Sequence, residues 1–280
     1  MDNIFNIKRF GYLLNKDFQE NYKRYTIYFF TLLGIIAIIL TWVSLDDYLN
    51  NRRFNLQMHN IELLRMASLI FAIGGLQFAS TIMSPMDNKT KRIAYLITPA
   101  SNFEKYLSRW LIVTIGYIIA FFIALWLADL LRVLICSFRF PDMEVKQLDF
   151  RALVCPDDSW SNNYVFPNRY FLGIVATIYS LIQSIFVLGS LFWGKNSFVK
   201  TFSVSVIIIA LFILICRWTI LIFYGRIRGF ENMLGSFEPD KRFTSEQAML
   251  IAIIIISLFA ITNWVLAYFR MKESEIIKRW

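Results

Sequence analysis

The sequence contains few of the residues that carry metal or redox chemistry. Its 280 residues include three Cys and one His. The cysteines form no CxxC pair, and no Cys and His cluster has the spacing of a zinc site. His59 falls in a short polar connection, where we expect a solvated loop residue. Metal and redox functions are therefore not predicted for this chain.

Glycine and proline are also scarce, at 11 and 6 residues, whereas apolar residues make up 57% of the chain. The mean hydropathy is +0.52. A soluble domain of this length has no interior large enough to bury so much apolar surface. The 27 Phe, 13 Tyr and 8 Trp suit lipid-facing and interfacial positions. The composition therefore indicates an integral membrane protein.

Six apolar stretches are candidates for membrane-spanning helices, which need about 20 residues. They are Tyr25–Leu45, Met66–Met86, Trp110–Ala128, Tyr170–Gly194, Thr201–Cys216 and Gln247–Phe269. The fifth is short, and it spans only if Lys200 and Arg217 extend their charged ends to opposite interfaces. We predict an all-α integral membrane protein with about six transmembrane helices, organised as segment 1–24 followed by a six-helix domain, 25–280.

The distribution of basic residues predicts the orientation. Of the 29 Lys and Arg, 16 fall on the side of the two termini: Lys8, Arg9, Lys16, Lys23, Arg24, Lys89, Lys91, Arg92, Lys105, Arg109, Lys195, Lys200, Arg270, Lys272, Lys278 and Arg279. Basic residues accumulate on the cytoplasmic side of membrane proteins. Both termini are therefore predicted to be cytoplasmic. Anionic lipid headgroups account for the net charge of +9, so nucleic acid is not a predicted partner.

Segment 1–24 has apolar residues at steps of three and four, with basic residues on another face. The apolar set is Ile7, Phe10, Leu14, Phe18 and Tyr22, and the basic set is Arg9, Lys16 and Lys23. This pattern predicts an amphipathic helix in the cytoplasmic interface that leads directly into the first span. It serves either as an anchor or as a contact for a partner.

The connection 84–109, between the second and third spans, is basic and contains Pro85 and Pro99. Ser101 and Glu104 form a capping box, which predicts that a helix begins near Asn102. Prolines favour helix boundaries beside them, so 87–97 is predicted to be a separate short helix. Such a helix suits docking of a soluble protein, and a solvated basic connector is the alternative.

Two longer connections, 135–169 and 217–246, are predicted on the extracytoplasmic side. The second begins with an apolar run, Trp218–Gly225, that is too short to cross the bilayer and is expected to dip in or pack on the bundle. Cys136 and Cys155 lie in the first connection, on the side where oxidation occurs. A disulfide between them is predicted.

Polar residues within the spans are few. Asp129 and Arg132 are one helical turn apart and are expected to pair. Gln183 and Asn263 are expected to form hydrogen bonds between helices, with substrate contact as the alternative. No acidic residue lies in the middle of a span, which disfavours a proton-coupled transporter.

One glycine-rich segment, GSLFWGKNS, approaches the phosphate-binding loop of ATPases. Gly189, Gly194 and Lys195 match that motif, but Asn196 stands where Ser or Thr binds magnesium. The segment also ends an apolar span and does not follow a strand. No nucleotide site is predicted on this chain.

The order of these segments resembles the type-2 export permeases of ATP-binding-cassette transporters. Two stretches are similar in detail: Leu96–Leu111, LITPASNFEKYLSRWL, which looks like a segment of such permeases from Bacteroidetes-type bacteria, and Asn6–Asn15, NIKRFGYLLN. The resemblance implies a bacterial inner-membrane location and a homodimer or heterodimer of permeases with separate ATPase subunits, which would hold the ATP and Mg²⁺. This chain itself would be a transport subunit and not an enzyme.

Within that resemblance, segment 87–97 matches the family's coupling helix, which docks into the ATPase. The residues expected to make the contact are Asp87, Lys89, Lys91, Arg92, Ile93, Tyr95, Leu96 and Ile97. The alternative functions are a secondary transporter without an ATPase and a membrane immunity or signalling scaffold.

Overall fold

The computed structural model describes residues 5–50, 55–86, 89–141, 143–156, 164–193, 196–224 and 245–273. These residues form helices α1 (Ile7–Asn50), α2 (Leu56–Ser80), α3 (Lys89–Ile97), α4 (Asn102–Leu111), α5 (Tyr117–Arg139), α6 (Arg169–Phe192), α7 (Ser197–Tyr224) and α8 (Ser245–Glu273). Among the described residues, six helical segments are long and apolar enough to cross a membrane. The prediction of an all-α membrane protein is confirmed.

Helix α1 contains 44 residues and includes both the amphipathic segment and the first span. At about 1.5 Å per residue it is about 66 Å long, roughly twice the thickness of the hydrocarbon core. The described part of the amphipathic segment is helical and continues without a break at residue 24 into the first span, as predicted. Neither glycine in the helix, Gly11 or Gly34, interrupts it, and there is no proline. The extra length runs beside α4.

A five-residue π-helical turn, Ile112–Gly116, joins α4 to α5. Thr114 occupies this turn and donates its hydroxyl to the Trp110 carbonyl at 2.7 Å. Helix α1 packs along α4 and α5, whereas α6 packs mainly against α8 and α2. The first and third spans therefore form one parallel pair.

Most of the buried apolar residues in the described part of the chain form two clusters along the bundle axis. One includes Met83, Tyr95, Tyr106, Val187 and Met271. It lies at the end of the bundle that contains α3 and the starts of α1 and α4. We call this end the α3 face.

The second cluster includes Ile36, Leu40, Leu63, Phe121 and Leu125. It lies toward the opposite end of the bundle, which we call the cap face because segments 143–156 and 164–168 cover it. In this cap Phe166 donates its backbone N–H to the Leu153 carbonyl at 2.8 Å.

Two of the predicted connections are shorter than expected. Helix α5 continues to Arg139, past the predicted loop start at 135, because residues 133–138 are mostly apolar and the next proline is Pro141. Helix α7 continues through Arg217 to Tyr224, so most of the run predicted to dip back into the membrane extends the fifth span instead. Arg217 is exposed, and a charge at an exposed helix position does not end the helix.

Candidate coupling site

Helix α3 is the short helix predicted between the two prolines, and it follows directly on the end of the second span. A 3₁₀ turn, Ser84–Met86, precedes it. The Arg92 guanidinium donates from Nε and Nη2 to the Met86 carbonyl at 3.3 and 3.2 Å. The first turns of α3 are thus fastened to this 3₁₀ turn at the end of the second span. Asp87, at the predicted start of this helix, lies outside the described residues.

Tyr95 fixes α3 to the bundle. Its side chain is buried, and its hydroxyl donates to the Lys105 carbonyl at 2.9 Å. The Arg109 guanidinium lies 5.5 Å from the ring centroid, within the range of a cation–π contact. Burial raises the pKa of the Tyr95 phenol, which keeps the hydroxyl protonated as a donor. Tyr95 was expected to contact a partner, and in this chain its buried ring holds α3 on α4.

Ile93 and Ile97 form the exposed apolar face of α3. They are 49% and 74% exposed, and their spacing of four places them on the same side of the helix. Ala94 and Thr90 are exposed beside them. These two isoleucines are the predicted docking residues that the structure presents outward. The side chains of Lys89, Lys91 and Leu96 are outside the described part of the chain.

The start of α4 is the point where α1 is first attached. The predicted capping box is confirmed: the Ser101 hydroxyl accepts from the Glu104 N–H, and the Glu104 carboxylate accepts from the Ser101 N–H at 3.0 Å. The same carboxylate accepts from the Asn6 N–H at 2.7 Å. It also accepts from Arg9, with distances of 2.7 Å to Nε and 2.9 Å to Nη2. One buried carboxylate thus satisfies the α4 cap and holds the beginning of α1.

A second attachment of α1 to α4 is a buried ion pair. The Asp17 carboxylate accepts from Arg109 Nη2 at 2.8 Å and from the Ser108 hydroxyl at 3.0 Å. The Asp17 and Arg109 side chains are 2% and 5% exposed. Because Arg109 also stacks on Tyr95, these contacts connect α1, α4 and α3 in one continuous chain. We call Asp17, Tyr95, Ser108 and Arg109 the α3 clamp.

Two further contacts tie α1 to the segments on either side of α3. Lys16 donates from Nζ to the Thr98 hydroxyl at 2.9 Å. Arg24 donates to the Ser84 hydroxyl. Helix α3 is therefore held at both ends, and its position depends on the position of α1.

On the cap face, the predicted pair of Asp129 and Arg132 is confirmed. Arg132 Nη2 lies 2.7 Å from Asp129 Oδ1. Arg132 also donates to the Lys146 carbonyl at 2.7 Å, and Asp129 Oδ2 accepts from the Leu148 N–H at 2.9 Å. The pair therefore holds the cap on the end of α5.

His59 belongs to the same end of the bundle, and the expectation of a solvated loop residue is wrong. It lies on α2 and is buried, with Nδ1 2.5 Å from Asp47 Oδ2 and Nε2 3.3 Å from the Ser44 hydroxyl. Asn55 caps α2 by accepting from the Gln57 N–H at 3.0 Å. Helix α2 thus begins before its apolar stretch, which brings His59 into the bundle.

Polar residues inside the spans bond between helices, as predicted. Gln183 donates to the Val113 carbonyl at 3.4 Å. Asn263 donates to the Ser184 hydroxyl at 3.1 Å. These bonds link α6 to the π-helical turn and to α8.

The predicted disulfide is not present in the structure. Cys136 and Cys155 are free thiols, and both are buried. Cys136 lies on the wholly buried face of α5, whereas the backbone of Cys155 donates to the Phe166 carbonyl within the cap. Each thiol is thus buried in a different element, Cys136 in α5 and Cys155 in the cap.

In the glycine-rich segment, the described glycine has a packing role. Gly189 is on α6, where a Cβ atom would overlap the Thr201 side chain, so its small size serves the packing of α6 against α7. Gly194 and Lys195 lie outside the described residues. Within the described ranges, no group of three or more His, Cys, Asp and Glu side chains could hold a metal ion.

Comparison with models of protein families, with curated proteins and with solved structures finds no match for this chain.

Proposed function

We propose that this chain is the membrane-spanning permease subunit of an ATP-binding-cassette exporter, and that α3 is the helix that docks into a separate ATPase subunit. The observation that carries the proposal is the pairing of an exposed apolar ridge, Ile93 and Ile97, with a buried anchor, Tyr95, on one nine-residue helix. The helix presents apolar side chains outward on a connection between spans, where the bilayer does not require them. Side chains that become buried at an interface, as Ile93 and Ile97 would, carry most of the binding energy between proteins.

The attachments of α3 support a mechanical role in transport. ATP binding closes a pair of ATPase subunits, and a helix docked into them moves with them. Here, displacement of α3 acts on α4 through Tyr95 and Lys105, and on α1 through Arg109 and Asp17. Because α1 and α5 pack together along the bundle, both spans move as a unit. A second permease, either a copy of this chain or a paralogue, provides the other half of the translocation path.

The orientation belongs to the same proposal. The α3 face is cytoplasmic, where ATP is available, and the cap face is extracytoplasmic. The excess of basic residues on the side of the termini supports this assignment. Basic residues near α3 steer an acidic ATPase surface into place and add less to affinity than the buried contacts do.

Substitution of the exposed ridge tests the proposal. Ile97→Asp, and Ile93→Asp in a second variant, should abolish co-purification of an ATP-binding-cassette ATPase with this chain from cells, and should remove the ATP turnover of the reconstituted complex. Met143→Asp is the matched control, since Met143 is an exposed apolar residue of the cap face. The control should keep both properties.

Two outcomes would count against the proposal. If Ile97→Asp is folded and still binds and activates the ATPase, α3 is a solvated connector. If the wild-type chain binds no ATPase but does bind a signalling protein, the scaffold function is favoured instead.

A further inference from the structure

An apolar groove lies between α1, α2 and the π-helical turn, outside the α3 clamp. Its volume is about 300 Å³, and Phe29, Leu32, Phe78, Ile112 and Tyr117 are among the residues that line it. This volume is at the small end of the range for ligand sites. It therefore suits one hydrocarbon chain better than a whole lipid.

The π-helical turn and a glycine on it create the space. Gly116 lines the groove, and a Cβ atom at this position would meet nothing closer than 3.9 Å. Such turns often occur at functional sites. The π-helical turn thus leaves space beside Gly116 that a larger side chain would fill.

The groove opens toward the lipid. Ile27 and Ile35, which line one edge, are 67% and 45% exposed. Gln77 lines it as well and is exposed within the second span, where a polar side chain needs a hydrogen-bond partner. The ligand that suits this groove is therefore an amphiphile from the bilayer, because it can enter from the lipid side and contact both the apolar lining and the polar Gln77.

Two basic residues, Arg24 and Lys23, lie at the end of the groove nearest the α3 face. The Arg24 guanidinium lies 5.6 Å from the centroid of the Tyr28 ring, and Tyr28 lines the groove. Lys23 is exposed beside it. No acidic residue is among the described residues that line the groove. The nearby carboxylate of Asp17 is already paired with Arg109.

We infer that this groove binds one acyl chain of an anionic phospholipid from the leaflet on the α3 face, with the lipid phosphate beside Arg24. An arginine has five N–H donors, and within the described residues Arg24 gives one hydrogen bond, to Ser84. The remaining donors are able to bind phosphate oxygens. The lipid fills the space between α1 and the π-helical turn, and so links the clamped end of α1 to the start of α5.

Counting the lipids that stay bound to the purified chain tests this inference without the ATPase. The chain is reconstituted in nanodiscs of equal parts phosphatidylglycerol and phosphatidylcholine, extracted, and analysed by native mass spectrometry. We expect one retained phosphatidylglycerol on the wild-type chain. Gly116→Leu should abolish it, because the leucine fills the groove.

Gly34→Leu is the matched control. Gly34 is also a helical glycine with nothing within 4 Å of an added Cβ atom, but it does not line the groove. This variant should retain the lipid. Equal retention in Gly116→Leu and the wild-type chain would overturn the inference, since the bound lipid would then lie elsewhere.

The headgroup is tested separately. Arg24→Gln should lower the preference for phosphatidylglycerol over phosphatidylcholine about fivefold, the effect of one basic residue near an anionic surface. Arg65→Gln removes an exposed charge on α2 away from the groove and should leave the preference intact. A wild-type chain that retains both lipids equally would refute the anionic site.

Discussion

Replacing Asp17 with asparagine tests the clamp that fixes α3 to α1. Asparagine keeps the size of the side chain and one acceptor oxygen, so it retains a hydrogen bond to Ser108 or to Arg109. It removes the charge that compensates the Arg109 guanidinium, which cannot lose its proton. Because both side chains are almost fully buried, Arg109 is left as an uncompensated buried charge.

The magnitude follows from this burial. Removing one partner of a buried ion pair costs about 3–5 kcal/mol, and the retained hydrogen bond places Asp17→Asn near the lower end, at about 3 kcal/mol. Glu20→Gln is the control, because Glu20 pairs with Lys16 at 3.6 Å with both side chains well exposed. An exposed pair of this kind contributes less than about 1 kcal/mol.

The assay is the free energy of unfolding of the purified chain in mixed micelles with increasing SDS. The double variant Asp17→Leu with Arg109→Met separates charge from packing. It should recover most of the stability lost in Asp17→Asn, since apolar residues of similar size often replace a buried pair without loss. If Asp17→Asn loses no more stability than Glu20→Gln does, Arg109 is not held by Asp17 and the clamp is refuted.

Three further predictions address the topology, the thiols and the packing of the spans. In a cysteine-free background, Thr90→Cys should be protected from a membrane-impermeant maleimide in intact cells while Met143→Cys is labelled; the reverse pattern would overturn the orientation. Cys136 and Cys155 should each be alkylated only after unfolding, and a disulfide-linked peptide in non-reduced digests would contradict the buried free thiols. Asn263→Leu should destabilise the chain by about 0.6 kcal/mol, and at most by about 1.7 kcal/mol, through loss of the bond to Ser184. Thr262→Val, whose hydroxyl bonds within its own helix, should stay within about 0.5 kcal/mol; equal losses in the two variants would refute a stabilising hydrogen bond between Asn263 and Ser184.

Local patterns in the sequence were sufficient to predict the helices of the α3 face. Pro85 and Pro99 bracket α3, and the Ser101 and Glu104 capping box marks the start of α4. These signals act over a few residues, so they do not depend on the rest of the fold. The same applies to Asp129 and Arg132, which are neighbours on one helix.

The direction of each side chain was not predictable in the same way. Tyr95, Ile93 and Ile97 all looked like contact residues, because a nine-residue helix has apolar residues on more than one side. The face that turns inward is decided by Arg109 and Lys105 on α4. The pairing of Asp17 with Arg109 joins residues 92 positions apart, and no local pattern indicates it.

The end of one helix and the burial of one residue were predicted wrongly, because a polar residue was taken to lie outside the helix. Arg217 was expected to end the fifth span, but an exposed basic residue is compatible with a continuous helix. His59 was assigned to a loop because the apolar stretch begins later, at Met66. Its burial depends on Asp47 and Ser44 of α1, which satisfy both ring nitrogens.

The central claim, that α3 docks into an ATPase, is tested most directly by photocrosslinking from position 97 in cells. A photoreactive amino acid in place of Ile97 should form a covalent product with an ATP-binding-cassette ATPase, identified by mass spectrometry. The same amino acid in place of Met143, on the cap face, should form none. Products at position 97 that contain only lipid, this chain itself or a protein without an ATPase domain would contradict the account.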